Sequence, residues 1–470
     1  MRSIIDPTGV AGIITPTGLA TDKTTSIFFS DTLRTGRLRA FYDFENEAKI
    51  FADVHHAFRF AITVMTGAAR SITKTRFAFL TRHIADLPAR RFSLAPDEVL
   101  KMNPNTGTLP MFRTRTDADI TLGIYKRHPI LISDVDPNGN PWELSFSQGL
   151  FNMASDSGLF RQQDELSADH FNGWSYTDGN TQYLPLYEGK MLWHFDHRFS
   201  TYRNATAAQL RMQTLPRVSD KEHDDPDVEA LARYWVSEND VTAKLSGKWE
   251  SGWILGWRDI TGIEKVRTFV PSVLPASAVG HKFLLALPKE ATDAINLHAV
   301  WSSLIFDYVS RQKMSGTSLK YFIVKQIACP TPETFAGATT WDRDSALADW
   351  VRPYVLELSY TSWRLRPYAQ DIGDNGPPFR WDPERRALLR ADLDAGFFHV
   401  YGLNRVEAEH VLDSFTVVRK YEERDFGDYR TKRLVLEAYD RMAVAIVNGG
   451  TGWRSLADPP AGEGPRHPTR

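Results

Sequence analysis

Several short stretches carry residue types at spacings that chemistry uses. Asp134-Val-Asp136-Pro-Asn138-Gly139 begins like a calcium loop, with oxygen ligands at positions 1, 3 and 5 and glycine at 6. Position 12 is Ser145 where a bidentate Glu is required, and Pro137 interrupts the loop. The flanking runs PILIS and WELSFS predict a hairpin turn instead. His194-Phe-Asp196-His197 places two imidazoles at i, i+3 around one carboxylate. Zinc-protease chemistry needs i, i+4 histidines on a helix with a Glu base, so no metal site is predicted. The stretch reads as a polar, basic surface strand or loop in which Lys190, His194, His197 and Arg198 would meet phosphate. Asn448-Gly-Gly-Thr-Gly452 is glycine-rich, but it follows a helical pattern where a cofactor loop needs a strand, and so predicts a helix C-cap. Trp249, Trp253 and Trp257 recur every four residues, a spacing that core packing explains more simply than stacking on bases.

The elements that must position these residues fall into regions. Val10–Ile14, Leu38–Phe44 and Phe60–Thr66 are strand-like, and Thr24–Thr35 is helical with Gly36 past its end. Strands alternating with helices predict an α/β sheet over residues 1–75. Residues 76–130 read as a helical connector, with helices opening near Pro96 and running over Thr116–Tyr125. Residues 131–330 are rich in aromatics and turn signals, mainly β, with one long helix over Ala291–Lys313. Residues 331–458 carry recurrent helical patterns, and the Pro/Gly-rich tail 459–470 is expected to be disordered.

The chain has 470 residues, 42% of them hydrophobic and 24% charged, which excludes wholesale disorder. Its formal charge of -2 hides an uneven distribution: 18 Lys/Arg against 12 Asp/Glu over residues 1–130, and an acidic excess in both later regions. Total charge therefore argues neither for nor against a polyanionic partner. The lone Cys329 excludes an internal disulfide and fits a reducing compartment, so a cytoplasmic location is expected. No apolar run reaches the about 18 residues of a membrane span.

Longer phrases carry a resemblance. GIITPTGLATDKTTSIFF and GRLRAFYDFENEAKIFADVHHAFRFAITVMTG resemble the second half of the catalytic domain of adenine-specific (N6) DNA methyltransferases of type IIG-like restriction-modification and DISARM-type phage-defence systems. NPNTGTLPMFR, LPLYEGKMLWHFDHRFSTY, GWRDIT and SSLIFDYVSRQKMSGTSLKYFIVKQIACPTP are similar to the target-recognition region of that family, and GPPFRWDPERRALLRADLDAGFFHVYGL to its carboxy-terminal segment. The order holds over about 430 residues.

The resemblance implies trailing strands of a doubly wound methyltransferase sheet, a β-rich target-recognition region and a helical carboxy-terminal region. Val10–Ile14, Leu38–Phe44 and Phe60–Thr66 would be the fifth, sixth and seventh strands. The loop between the last two, residues 45–59, would border the pocket for a flipped adenine, with Phe58 as the base-contacting ring. Double-stranded DNA is the implied partner, with Lys190, His194, His197, Arg198, Arg258, Arg267, Arg311 and Lys313 as candidate contacts. The family's glycine-rich loop for S-adenosylmethionine and its Asn-Pro-Pro-aromatic tetrad precede the fifth strand and are not found here. The nearest matches fail: in Asp374-Asn-Gly-Pro-Pro-Phe379 the acceptor position is Gly376, and in Asp458-Pro-Pro-Ala461 the aromatic is Ala461. This chain alone is thus expected to be inactive and to need an upstream methyltransferase half, alongside restriction or defence-system subunits. A non-catalytic DNA-recognition subunit serving a nuclease or translocase is the alternative.

Overall fold

The computed structural model describes residues 3–56, 58–167, 170–314 and 316–470. They form two compact units, one made of Met1–Asn140 with Val309–Cys329, the other of Pro141–Tyr308 with Pro330–Arg470.

The first unit is built on a five-stranded sheet in the order β1-β3-β2-β4-β5, with β1 Val10–Pro16, β2 Leu38–Glu45, β3 Arg59–Thr66, β4 Thr75–Thr81 and β5 Phe92–Leu94. β3 lies between β1 and β2 and runs antiparallel to both, so β1 and β2 are parallel; β4 is parallel to β2. Helix Ser26–Arg34 connects β1 to β2 and ends where Gly36 takes φ 64°, a conformation an L side chain adopts only under strain. A Cβ there would also meet Ser71 Oγ at 2.6 Å. Phe29, Leu33, Phe41, Phe77, Phe79 and Phe92 interlock in the core. By contrast β1 contains no buried residue, and Val10 and Ile14 are exposed.

The segment expected to be a helical connector belongs to this sheet. Phe77 and Phe79 alternate into the core from β4, a period-2 pattern that contributes a strand. Helices Pro96–Met102 and Arg115–Arg127 cover the same core. The later segment Val309–Cys329 completes the unit: Met111 N–H donates to Gln312 O at 2.7 Å, Tyr125 Oη to Gln326 O at 2.6 Å, and Leu131 N–H to Ile327 O at 2.9 Å. The Asp134–Gly139 turn is therefore no hairpin. The run before it pairs with residues 325–328, whereas the run after it supplies β6, Ser145–Ser147, to a sheet of the second unit.

The second unit holds two small sheets. One has the order β11-β10-β13-β6, with β10 Trp253–Arg258, β11 Pro271–Pro275 and β13 Phe283–Leu287. The other joins β7 Tyr176–Asp178, β8 Thr181–Tyr187, β9 Trp235–Ser237 and β12 Ala278–Val279. Trp253 and Trp257 are fully buried on β10, and Trp249 packs edge-on against Trp253. The long helix read over 291–313 breaks at Ser303, whose extended backbone separates Ala291–Ser302 from Leu304–Lys313. Asp394 takes the N–H of Leu304 freed by the break, at 2.6 Å.

The carboxy-terminal region is helical: Leu347–Ser359, Pro383–Val400, Arg405–Asp413, Thr416–Phe426 and Arg430–Val447. Gly449 and Gly450 cap the last of these with φ near 80°, and Gly450 N–H returns to Ala445 O. The tail expected to be disordered is instead held. Arg466 stacks on Phe379 and pairs with Asp374, while Arg385 donates to the carbonyls of Pro459 and Pro460. Lacking apolar bulk of its own, the tail is ordered by its own Arg466 reaching out to Asp374 and Phe379 and by Arg385 of helix Pro383–Val400 reaching in. No helix among the described residues is long and apolar enough to cross a membrane.

Candidate functional site

Strands β1, β2 and β4 are parallel and end at one edge of the first sheet, the edge where doubly wound sheets receive ligands. Asp43, fully buried near the end of β2, is its electrostatic centre. Thr17 Oγ1 donates to its Oδ1 at 2.5 Å, and the Leu80 N–H reaches Oδ2 at 2.9 Å from a residue held at φ 53°. The Arg59 guanidinium completes the set and also reaches Met111 Sδ at 3.0 Å. A carboxylate with three donors, one of them the half-buried counter-charge of Arg59, is a strut, not a base. It ties Thr17, just after β1, and Leu80, near the end of β4, to the first residue of β3.

The loop between β2 and β3 folds around Asn46, whose side chain is buried, accepts from Phe51 N–H and donates to the carbonyls of Phe51 and Val54. Phe60 stacks on Phe44 and meets Phe51 edge-on, which fixes the loop's base. Phe58 takes no part in this packing: it is 64% exposed. His56 Nδ1 lies 2.8 Å from Glu47 and holds that carboxyl below its usual range. Ala57 lies outside the described residues.

In the second unit the expectation of a basic surface at residues 190–198 is corrected. Arg198 is fully buried, donating to the carbonyls of Asp225, Val228, His223 and Thr361 at 2.7–3.0 Å. His197 lies between Glu229 and Ser362 Oγ, each 3.2 Å from the same ring nitrogen. Burial pushes Glu229 up, but the charges of His197 and Arg198 outweigh it and hold the carboxyl low. His194 meets Phe269 O at 2.8 Å, and burial keeps its imidazole well below the usual range. The physical reason is satisfaction: interior carbonyls accept these donors, so the polar run can be core. Among the described residues no group of three or more His, Cys, Asp or Glu is placed to hold a metal ion.

The other candidate cations divide. Arg267 is tied to Asp307 at 2.9 Å and to the Ser302 carbonyl. Lys313, in the first unit, donates to Met102 O at 2.6 Å and lies over the Tyr125 ring, and burial holds its ammonium well below the usual range. Arg311 is half-buried in the first unit. Lys190 and Arg258, with Lys282, line a cleft of about 250 Å³ in the second unit. There Lys190 pairs with Glu188 at 3.2 Å and Lys282 with Asp259 at 3.4 Å. Arg258 lies over Trp193 at 5.7 Å with no hydrogen-bond or ion-pair partner among the described residues, and burial lowers its pKa. Of the candidate cations with described contacts in this unit, Arg258 is the one free to take an anion.

Sequence reasoning missed Asp43 and Arg390. An acid inside the apolar strand LRAFYDFE was a signal for the first. Helix Pro383–Val400 gave one for the second: its charges lie on every face, with Arg385, Arg386, Asp392 and Asp394 all buried.

No family model matches the chain, and no curated protein does. Two solved structures show partial similarity. The type IIG restriction endonuclease BpuSI aligns over 94% of this chain and 49% of its own at 10% identity and a TM-score of 0.30. The type IIL restriction-modification enzyme MmeI, solved in complex with DNA, aligns over 88% and 50% at 9% identity and a TM-score of 0.37. The chain spans about half the length of each.

Proposed function

We propose that this chain is part of a site-specific adenine-N6 DNA methyltransferase of a restriction-modification or phage-defence system. The first unit supplies the trailing strands of the catalytic sheet and the second supplies target recognition. One observation carries the reading: the strand assigned as seventh, β3, lies antiparallel between the parallel fifth and sixth, and the loop bearing Phe58 lies at their carboxyl edge. The phrases of the sequence that resemble the family support the same assignment. An exposed aromatic on an anchored loop suits stacking on a base taken out of the helix, which costs a few kcal/mol of unstacking. The cleft of Lys190, Arg258 and Lys282 suits a phosphate.

The described residues do not by themselves hold S-adenosylmethionine, because the acid at the sheet edge is occupied by Thr17, Arg59 and Leu80. The cofactor's binding groups would come from a partner half that adds strands beyond β1, whose outer edge is unpaired among the described residues.

Combining this chain with the protein encoded immediately upstream, labelled cofactor and DNA should methylate adenine. Absence of transfer in every such combination would overturn the proposal. Phe58→Ala should abolish transfer and leave DNA affinity unchanged; unchanged function would favour a non-catalytic recognition subunit.

A further inference from the structure

The second unit encloses a cavity of about 310 Å³ unrelated to the sheet edge and the basic cleft. Helix Pro383–Val400 forms one wall and helix Arg430–Val447 another, and Trp193 and His194 lie across from them. Three arginines border it, and they are not equivalent. Arg267 is tied to Asp307, and Arg430 forms a two-pronged pair with Glu384 at 2.9 and 2.7 Å. Arg390 has neither hydrogen bond nor ion pair among the described residues, although its side chain remains exposed and lines the cavity. Protein surrounds it closely enough for burial to lower its pKa, opposed by Asp394.

The carboxylates of the cavity are already engaged. Glu422 accepts both the N–H and the hydroxyl of Thr431, at 2.7 and 2.5 Å. Asp394 accepts Leu304 N–H, and burial pushes its carboxyl up to about 6. Arg390 thus has no hydrogen-bonded or ion-paired counter-charge among the described residues, and much of the remaining wall is apolar, including Val266, Leu304, Val418, Phe426, Leu434 and Val435. A single uncommitted guanidinium at the mouth of a largely apolar pocket of ligand size fits one kind of occupant.

We propose that this cavity binds a small organic anion, a carboxylate or phosphate on an aromatic or apolar body, with Arg390 taking the anionic group. The inference is independent of the DNA reading, since it invokes neither the sheet edge nor the cleft.

The test uses the full chain and two fluorescent probes that differ by one charge, anilinonaphthalene sulfonate and neutral phenylnaphthylamine. Arg390→Met should weaken the sulfonate by about tenfold or more and leave the neutral probe unchanged; equal loss of both, or of neither, would overturn the proposal. Phenyl phosphate and benzoate compete in separate arms. Displacement by one more than the other assigns the anion type, and displacement by neither would overturn the site. Should Arg390→Met fail to fold, the wild-type chain still answers. Phenylglyoxal should modify Arg390 ahead of Arg267 and Arg430, and the sulfonate should protect it. Modification of Arg390 without protection would overturn the proposal.

Discussion

Arg198 and Arg390 are the same side chain in the same unit, in opposite circumstances. Arg198 is closed off from water and spends its donors on four backbone carbonyls. Arg390 has no hydrogen-bond or ion-pair partner among the described residues and opens into a cavity. A cation's availability is set by the carbonyls and carboxylates that distant segments bring to it. Its place in a charged run of sequence says little. Arg198 holds together residues 223–228 and 361, whereas Arg390, and Arg258 in the cleft, hold nothing of the scaffold.

The sharpest way to break this contrast is to remove the locked arginine. Arg198→Met takes the arginine's donors from four interior carbonyls, of which Asp225 O keeps the Val228 N–H, and should cost about 3–5 kcal/mol. Denaturant unfolding of the purified chain measures it, and a loss under about 1 kcal/mol would mean the network is dispensable.

A second prediction concerns the carboxylate beside the open arginine. Burial raises the pKa of Asp394 to about 6, so the native state keeps a proton that the unfolded chain releases near the ordinary value of 3.8. The unfavourable contribution is absent below pH 3.8, grows as pH rises and is complete above about 6. Asp394→Asn, which retains an acceptor for Leu304 N–H, should therefore gain stability relative to wild type across that window, by up to about 3 kcal/mol. Parallel pH profiles of the two proteins would show a constant difference if the carboxyl is not shifted.

Arg258→Ala tests the cleft. It should weaken DNA binding by about 1 kcal/mol across sequences and reduce the salt slope by about 1. Titration at several salt concentrations reads both, and an unchanged slope would remove Arg258 from the phosphate contacts. Smallest is the effect of Phe58→Ala on stability, within about 0.5 kcal/mol, because the ring is largely exposed. Thermal unfolding checks it, and a larger loss would show that Phe58 supports the loop.

Local signals were legible in sequence where local rules decide. Gly36 and Gly449–Gly450 marked helix ends, and Pro383 marked a helix start. The strand runs at 10–14, 38–44 and 60–66 were placed to within a residue or two. Pairings across distance were not legible. Nothing near Thr75 announces that β4 will lie parallel to β2, and nothing near residue 303 announces that Asp394 will accept the N–H that a helix break frees. The polar run 194–198 was misread for the same reason, since its acceptors lie dozens of residues away. Phe58 was located by resemblance, and its exposure is shared by the loop before it, in which Asn46 is the buried residue and Phe51 and Val54 are themselves exposed.

The late segment of the first unit has a consequence for synthesis. Residues up to Asn140 emerge from the ribosome with sheet and helices in place, yet the strip from Val309 to Cys329 that satisfies Met111, Thr121 and Leu131 arrives roughly 190 residues later. At 5–20 residues per second that interval is roughly 10–40 s. Throughout it Met111, Thr121 and Leu131 lack the hydrogen-bond partners that this strip brings. The first unit can therefore reach its finished hydrogen bonding only after most of the second unit has been synthesised.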